Sequence, residues 1–185
     1  THNFIGPAVG FVPTMTIYSG KIADTEGYIG YLPSDKSIYV IFRGSISLQN
    51  WLADFTTTKT DSKAGLVQLL GYQGFYISEQ AVIADVITEV QRLKQMFPLF
   101  SVKTAGHSLG GALALLAQMD LIAAGYDVTM YNFGQPRVGD KAFAEFAYSK
   151  APSSYRHTHY HDPVPRLPTN SFPLSFNHSC TEIYE

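Results

Sequence analysis

The 185-residue chain contains a single cysteine, Cys180, and few charged residues. One cysteine can form neither an internal disulfide bond nor a cysteine-based metal cluster, so Cys180 is either a free thiol or pairs with a residue outside this chain. Charged residues make up 15% of the sequence, and the formal net charge is −2 at pH 7. Because no block of like charges attracts nucleic acid, we expect no nucleic-acid partner.

Long apolar runs are also missing from the sequence. A transmembrane helix needs about 18 consecutive apolar residues, and the candidate from Gly110 to Gly125 is interrupted by Gln118 and Asp120. The N-terminus lacks the features of a signal peptide, although a processed chain would have lost them. The sequence therefore predicts no transmembrane segment and by itself leaves the localisation open.

Hydrophobic residues make up 45% of the chain, which in 185 residues is enough for one sizeable core. We therefore expect a single domain over residues 1–185. Short segments rich in aromatic and β-branched residues are separated by turn signals and predict an opening set of strands. These strands are expected at residues 15–19, 27–32 and 37–42.

Helical and strand patterns alternate after residue 78. Apolar residues recur at helical spacing with Ser78 as the expected N-cap, and the helical stretches alternate with short β-rich ones. Such alternation is typical of an α/β fold with a mostly parallel central sheet flanked by helices, whose functional loops lie at the carboxyl ends of the strands. The predicted elements are helix 78–96, strand 101–105, helix 109–124, strand 128–133, a short helix capped by Asp140 and strand 155–161.

The segment Gly106-His107-Ser108-Leu109-Gly110 lies between a predicted strand and a predicted helix. A serine hydroxyl is a weak nucleophile unless a base lies within hydrogen-bond reach and the side chain projects from a sharp turn. Glycines on both sides leave room for such a turn. The pattern predicts Ser108 as the nucleophile of an α/β hydrolase; the alternative is an ordinary glycine-flanked helix start.

The other two members of a catalytic triad are expected later in the chain, the acid before the histidine. Asp162 ends the predicted strand 155–161 and precedes Pro163, and His178 lies in the last loop. Taken alone, such an aspartate is more often a turn former. With Ser108 in place, we predict a triad of Ser108, Asp162 and His178.

Three histidines at alternate positions, His157, His159 and His161, would share one face of a strand and could bind zinc. No nearby carboxylate or cysteine pattern completes such a site, and histidines on strands commonly have other roles. We expect no metal site, and a metal-dependent hydrolase is kept as an alternative.

Four separate segments resemble the fungal class 3 lipase family, which includes triacylglycerol lipases of filamentous fungi and feruloyl esterases. Their order and spacing match the family over most of the chain. The segments are Ile41-Phe42-Arg43-Gly44-Ser45 with Asn50-Trp51-Leu52-Ala53-Asp54, then Gly106-His107-Ser108-Leu109-Gly110-Gly111, then Asn132-Phe133-Gly134-Gln135-Pro136-Arg137-Val138-Gly139, and last His161-Asp162-Pro163-Val164-Pro165-Arg166-Leu167-Pro168.

The resemblance implies an α/β-hydrolase fold and the same triad, and it adds two further elements. Ser45 would form the oxyanion hole with the backbone N–H of Leu109. Residues 46–55 would form an amphipathic lid with Trp51 as the interfacial anchor, whereas a short helix packed on the core is the alternative. The expected lid residues are Ile46, Leu48, Trp51, Leu52 and Phe55.

The resemblance further implies secretion, no cofactor, and a lipid or other ester substrate met at an oil–water interface. Family members carry several disulfides and longer termini, so this chain is either truncated or from a disulfide-poor branch. The expected activity is that of a carboxylic ester hydrolase, first a triacylglycerol lipase. The alternatives are a soluble-ester carboxylesterase or feruloyl esterase, and a non-catalytic lipid-binding protein with the same fold.

Overall fold

The computed structural model describes residues 6–19, 25–44, 59–62, 69–171 and 175–185. In chain order the strands are β1 (Val12–Tyr18), β2 (Glu26–Leu32), β3 (Ser37–Phe42), β4 (Lys59–Ser62), β5 (Leu69–Tyr72), β6 (Ser101–His107), β7 (Val128–Phe133), β8 (Gly139–Asp140), β9 (Ser154–Thr158), β10 (Phe176–Asn177) and β11 (Thr181–Tyr184). The helices are α1 (Gln73–Gln80), α2 (Ile83–Met96), α3 (Leu109–Ala123) and α4 (Lys141–Lys150), with 3-10 turns at Gly6–Ala8, Pro33–Asp35 and Val164–Arg166.

The central sheet has seven strands in the order β1-β2-β3-β6-β7-β9-β11. The first two pairings are antiparallel, and every pairing from β3 onward is parallel. Parallel neighbours need crossover connections, and α3 supplies the one between β6 and β7. The prediction of an α/β fold with a mostly parallel sheet is confirmed.

A smaller antiparallel sheet follows the order β10-β8-β5-β4. In its register Phe176 lies opposite Asp140, and Asn177 lies opposite Gly139. This pairing fixes the chain immediately before His178, and β11 of the central sheet begins three residues after that histidine. The sequence patterns predicted none of the short strands of the second sheet.

Helix α3 lies between two apolar clusters and is buried on nearly all sides. One cluster joins the helix to α2 and the strands through residues such as Leu93, Val40 and Leu113. The other contains Phe143 and Phe176. Because a helix that is apolar all round is stable only when surrounded, this packing fixes the N-terminus of α3 against the end of the sheet.

The opposite face of the central sheet carries partly exposed aromatic side chains. Tyr131 is 37% and Phe133 is 47% exposed, while the alternate residues of β7 are buried against the helices. Their rings stack on neighbours in β9, Tyr131 on Tyr155 at 5.5 Å and Phe133 on His157 at 5.0 Å between ring centroids. The described helices therefore cover one face of this part of the sheet more completely than the other.

The predicted single helix 78–96 is wrong, because the structure has two helices separated by a turn at residues 81–82. Ser78 lies inside α1, where its carbonyl oxygen accepts a hydrogen bond from the Thr25 hydroxyl at 3.1 Å. The N-cap of α2 is Val82, without a side-chain capping bond. Apolar spacing could not reveal the break, since Val82 in the turn and Val86 after it are both buried and keep the helical spacing.

The predicted strand 155–161 is too long, because β9 ends at Thr158. The chain then turns, with the Asp162 N–H donating to the carbonyl of His159 at 2.9 Å. His159 and His161 are thus not on the strand with His157, and the shared face that the zinc alternative requires is absent. Across the described ranges, no three side chains of metal-ligand type come together.

The cap at Asp140 is confirmed, since its Oδ1 accepts a hydrogen bond from the Phe143 N–H at 2.9 Å. Within the part of the chain that the structure describes, no helix has both the length and the apolarity needed to cross a membrane.

Candidate active site

Ser108 occupies the sharp turn between β6 and α3. Its φ is 54° and its ψ is −124°, a conformation that a residue with a side chain rarely adopts. The Ser108 N–H donates to the carbonyl of Phe133 at 2.9 Å, which ties the turn to the end of the neighbouring strand. This is the geometry of a nucleophile elbow, in which backbone strain projects the side chain above the sheet.

The two glycines around Ser108 are required by the close approach of backbone segments. A Cβ atom on Gly106 would overlap the carbonyl of Gly110, the second residue of α3. A Cβ atom on Gly110 would overlap the carbonyl of Phe42 at the end of β3. The glycines therefore let α3 start directly against two strands, as the sequence pattern predicts.

Asn132 holds the elbow from below, and sequence reasoning assigned it no role. It is fully buried, and its Nδ2 donates to the Gly111 carbonyl and to Gln135 Oε1, each at 2.7 Å. These bonds join β7 to the first turn of α3 and to the following loop. The available signal was the alternation Val128, Met130, Asn132, which places a lone amide on the apolar face of the strand, where buried amides need partners.

The Ser108 side chain is only 3% exposed, and its Oγ has no hydrogen-bond partner among the described residues. Leu109 is the first residue of α3, where a backbone N–H has no partner within the helix and can donate to an anion. Ser45 lies outside the described residues. The predicted lid residues lie outside them as well: Ile46, Leu48, Trp51, Leu52 and Phe55.

Asp162 lies in the turn after β9 and is held by two contacts. Its Oδ1 accepts a hydrogen bond from the Val164 N–H at 2.9 Å. Its Oδ2 lies 2.6 Å from the point that a Cβ atom on Gly134 would occupy. Gly134 has a φ of 56°, and its N–H donates to the carbonyl of His157 at 2.9 Å. The carboxylate is thus packed against the backbone that leaves β7.

His178 lies in the connection between the two sheets and is partly buried. Its Nε2 is 2.6 Å from the carbonyl oxygen of Pro165, whereas its buried Nδ1 has no partner among the described residues. Burial, and next the nearby Arg156 guanidinium, lowers the pKa of His178 to about 4. A neutral imidazole is the form that can act as a base.

The three residues of the predicted triad are only partly brought together. Asp162 and His178 line one cavity of about 300 Å³. Ser108 does not line this cavity, and among the described residues no hydrogen bond joins its Oγ to His178. A second, more open cavity of about 480 Å³ is lined by Gly44, His107 and Phe133 beside the elbow. His107, the residue before Ser108, thus faces this second cavity.

Two arginines frame the cavity shared by Asp162 and His178. Arg156 is 4% exposed, and its Nη1 is 3.0 Å from Glu182 Oε1. Arg137 donates to the carbonyls of Arg166 and of Pro168, the latter at 2.7 Å. Arg137 thereby fixes the loop that follows Asp162, which is a structural role.

The serine elbow at the end of a parallel strand defines an α/β-hydrolase fold, and comparison with solved structures bears this out. The structure of Rhizomucor miehei triacylglyceride lipase superposes with a TM-score of 0.88 at 33% identity, over 95% of this chain and 66% of that one. A further structure, of a triacylglycerol lipase whose catalytic centre is formed by a serine protease triad, matches with the same TM-score, identity and shares.

Residues 39–172 match the family Lipase (class 3). The chain therefore belongs to the class 3 lipase family. A curated relative, the secreted mono- and diacylglycerol lipase A of Penicillium cyclopium, is 36% identical over 163 residues, which are 87% of this chain and 52% of the relative. The chain thus spans about half the length of that relative.

Proposed function

We propose that residues 1–185 carry the catalytic domain of a carboxylic ester hydrolase that acts on triacylglycerol or a related lipid ester. The observation that carries this proposal is the strained Ser108 turn, with a hydroxyl that no described residue engages. Backbone strain of this kind is typical of reacting groups, because the strained turn projects the side chain out of the chain's course. The family membership supports the same reaction class.

In the proposed mechanism His178 removes the proton of Ser108 while Oγ attacks the ester carbonyl. Asp162 orients the imidazole and stabilises the imidazolium. The backbone N–H of Leu109 and Ser45 stabilise the negative charge on the carbonyl oxygen, each donor contributing about 2.7 to 4 kcal/mol. His178 then returns the proton to the leaving alcohol, and water releases the fatty acid from the acyl-enzyme.

Two movements must precede this reaction. The imidazole of His178 has to leave the carbonyl of Pro165, because its Nε2 cannot donate there and accept a proton from Ser108 at once. Ser108 must also be uncovered, since it is 3% exposed. We propose that residues 46–55 act as the lid that opens at a lipid surface, which would couple both movements to the presence of substrate.

A soluble-ester carboxylesterase or feruloyl esterase is the second candidate, because it would use the same serine machinery. Rates of hydrolysis distinguish a lipase from such an esterase when they are measured on four substrates: p-nitrophenyl acetate, a long-chain triglyceride emulsion, a phospholipid and methyl ferulate. A lipase gains activity once its ester exceeds the solubility limit. A soluble-ester esterase shows no such gain.

Ser108→Ala tests the reaction itself. Turnover of p-nitrophenyl acetate should fall by up to about 10⁶-fold, as for removal of a serine protease nucleophile. Ser149→Ala is the control, because the Ser149 hydroxyl is exposed and donates to the Phe146 carbonyl of its own helix. An unchanged rate in Ser108→Ala would exclude the mechanism. Failure of an organophosphorus probe to label Ser108 would instead favour the non-catalytic lipid-binding protein.

We also propose that the protein is secreted, on the model of its relative from Penicillium cyclopium, which is a secreted lipase. Its substrate would then be met outside the cell. Measuring activity in the culture medium and in the cell fraction of the source organism tests this.

A further inference from the structure

The ion pair between Arg156 and Glu182 lies beside the proposed base, and the mechanism above does not use it. Arg156 comes from β9 and Glu182 from β11, which pair in register at this point. The guanidinium is 4% exposed, whereas the Glu182 side chain is 51% exposed. Glu182 Oε1 also accepts a hydrogen bond from the Thr158 hydroxyl at 3.0 Å. A buried cation is thus balanced by a carboxylate that water partly solvates.

We propose that the Arg156–Glu182 pair, which lines the same cavity as the His178 imidazole, is a positioning element for the base of the proposed reaction: the buried Arg156 guanidinium disfavours a second positive charge on the imidazole, and Glu182 limits that effect. The inference rests on the proposed function, in which His178 must be neutral to remove the proton of Ser108. It assigns a role in the chemistry to two residues that touch neither substrate nor nucleophile.

Other charged and titratable groups also face His178. On the shared cavity, β9 and the turn after it contribute Arg156, His159, Tyr160 and Asp162, and the loops contribute Arg137 and Arg166. Strand β11 contributes Glu182 and Tyr184. On the far side of the imidazole, α4 contributes Lys141, Glu145 and Tyr148, with Cys180 beside them.

Cations outnumber anions on the side shared with Asp162. Arg137, Arg156 and Arg166 face only two carboxylates there. On the α4 side, Lys141 and Glu145 balance each other at 3.6 Å and are largely exposed, so water screens them. Arg156 is the most deeply buried of these charged groups, and its field on the imidazole is therefore the least screened.

The pKa of His178 agrees with this charge distribution. Burial lowers the pKa most and Arg156 lowers it next; the hydrogen bond to the Pro165 carbonyl raises it, and smaller effects come from Arg137, which lowers it, and from Glu182, which raises it. The ordinary pKa of a histidine imidazole is 6.5. An imidazole that is still neutral at a pH well below that value remains a base in mildly acidic solution. The acid limb of kcat/KM should accordingly lie below pH 6.5.

Removing each charge of the pair should displace this limb in opposite directions. Glu182→Gln retains an oxygen that can accept from Arg156 and Thr158, so the geometry is kept while the negative charge is lost. The limb should then move to lower pH by about half a unit, because Glu182 is partly screened. Arg156→Met removes the cation and leaves Glu182 unbalanced, so the limb should move to higher pH by about one unit. Structural damage alone would lower the rate without opposite displacements.

The experiment combines kcat/KM for p-nitrophenyl acetate across pH 4–9 with an NMR titration of the His178 Cε1–H, assigned with His178→Asn. Glu89→Gln and Arg92→Met are the matched controls, because that Arg–Glu pair lies on α2 at 2.7 Å and should leave the limb in place. If Arg156→Met fails to fold, the displacement measured for Glu182→Gln is sufficient to test the inference.

Displacement to lower pH in Glu182→Gln, by both readouts, supports the inference, and no displacement or one to higher pH overturns it. If the intact chain hydrolyses no ester, the NMR titration still reports whether the pair controls the imidazole. The absence of hydrolysis would reject the proposed function and, with it, a role for the pair in catalysis. If the chain hydrolyses the ester but the acid limb of kcat/KM is not displaced in Glu182→Gln, the inference is rejected and the proposed function stands.

Discussion

The carboxylate of Asp162 fills the space that a side chain on Gly134 would need, with Oδ2 2.6 Å from the position of the missing Cβ atom. Gly134 also has a positive φ of 56°, which suits glycine. One glycine thus sets both the course of the chain after β7 and the place of the proposed catalytic acid.

Gly134→Ala should displace the Asp162 carboxylate and lower kcat/KM for a simple aryl ester by about 100-fold, the effect of a misplacement near 1 Å. The control is Gly125→Ala. Gly125 has a φ of 93° and no atom within 4 Å of the added carbon, so it incurs a comparable backbone penalty without a contact. Equal activity in the two variants would show that Asp162 does not depend on this packing.

Asn132→Ala should lower both stability and turnover. It removes two hydrogen bonds beneath the elbow and leaves the Gly111 carbonyl without its side-chain donor, at a cost of about 1 to 3 kcal/mol. Gln118→Ala is the matched control, because Gln118 is also fully buried and donates to the Val128 carbonyl at 2.8 Å and to Ser154 Oγ at 2.7 Å, near the far end of the helix.

Both variants should unfold at lower denaturant concentration, whereas only Asn132→Ala should lower kcat when assayed under conditions in which both are folded. Equal kcat values would limit Asn132 to a purely structural role.

Glu79 should make the protein less stable as pH rises. It is fully buried, and burial, followed by the neighbouring Asp120 carboxylate, raises its pKa well above the ordinary 4.5. The folded chain therefore binds this proton more tightly than the unfolded chain. The contribution of Glu79 to the free energy of unfolding is greatest below pH 4.5. It declines as pH rises toward the pKa of Glu79 in the folded chain, by at most about 1.4 kcal/mol per pH unit.

Glu79→Gln removes this titration while keeping a side chain of similar shape. The free energy of unfolding of the variant should exceed that of the parent chain at pH 8–9, and the difference should shrink toward pH 5. Urea unfolding at several pH values measures this. Glu145→Gln serves as the control, since the Glu145 side chain is 68% exposed. Parallel pH curves for the Glu79→Gln and parent chains would contradict the prediction.

Trp51→Ala tests the proposed lid. Hydrolysis of a triglyceride emulsion should fall by about fivefold or more, equivalent to about 1 kcal/mol of lost interfacial interaction. Hydrolysis of dissolved p-nitrophenyl acetate should change little, because that substrate needs no lipid surface. A similar loss on both substrates would favour the short helix packed on the core.

Several parts of this protein could be predicted from its sequence because short segments encode them. The turn at Ser108 needs a residue without a side chain on each side of it, and Gly106 and Gly110 supply them. The cap at Asp140 and the strand at Val128–Phe133 likewise depend on a few neighbouring side chains. The break between α1 and α2 was missed, since the apolar spacing continues across it.

The sequence by itself determined the elbow, the alternation that builds a mostly parallel sheet and the order of the proposed triad. Only the tertiary structure decided how those groups are held. The bonds of Asn132, the fit of Asp162 against Gly134 and the charges around His178 join residues that lie far apart along the chain. Local patterns carry no information on such contacts. The strength of a hydrogen bond or of a buried charge depends on the distance between the groups in space, and the packing of the whole sheet sets that distance.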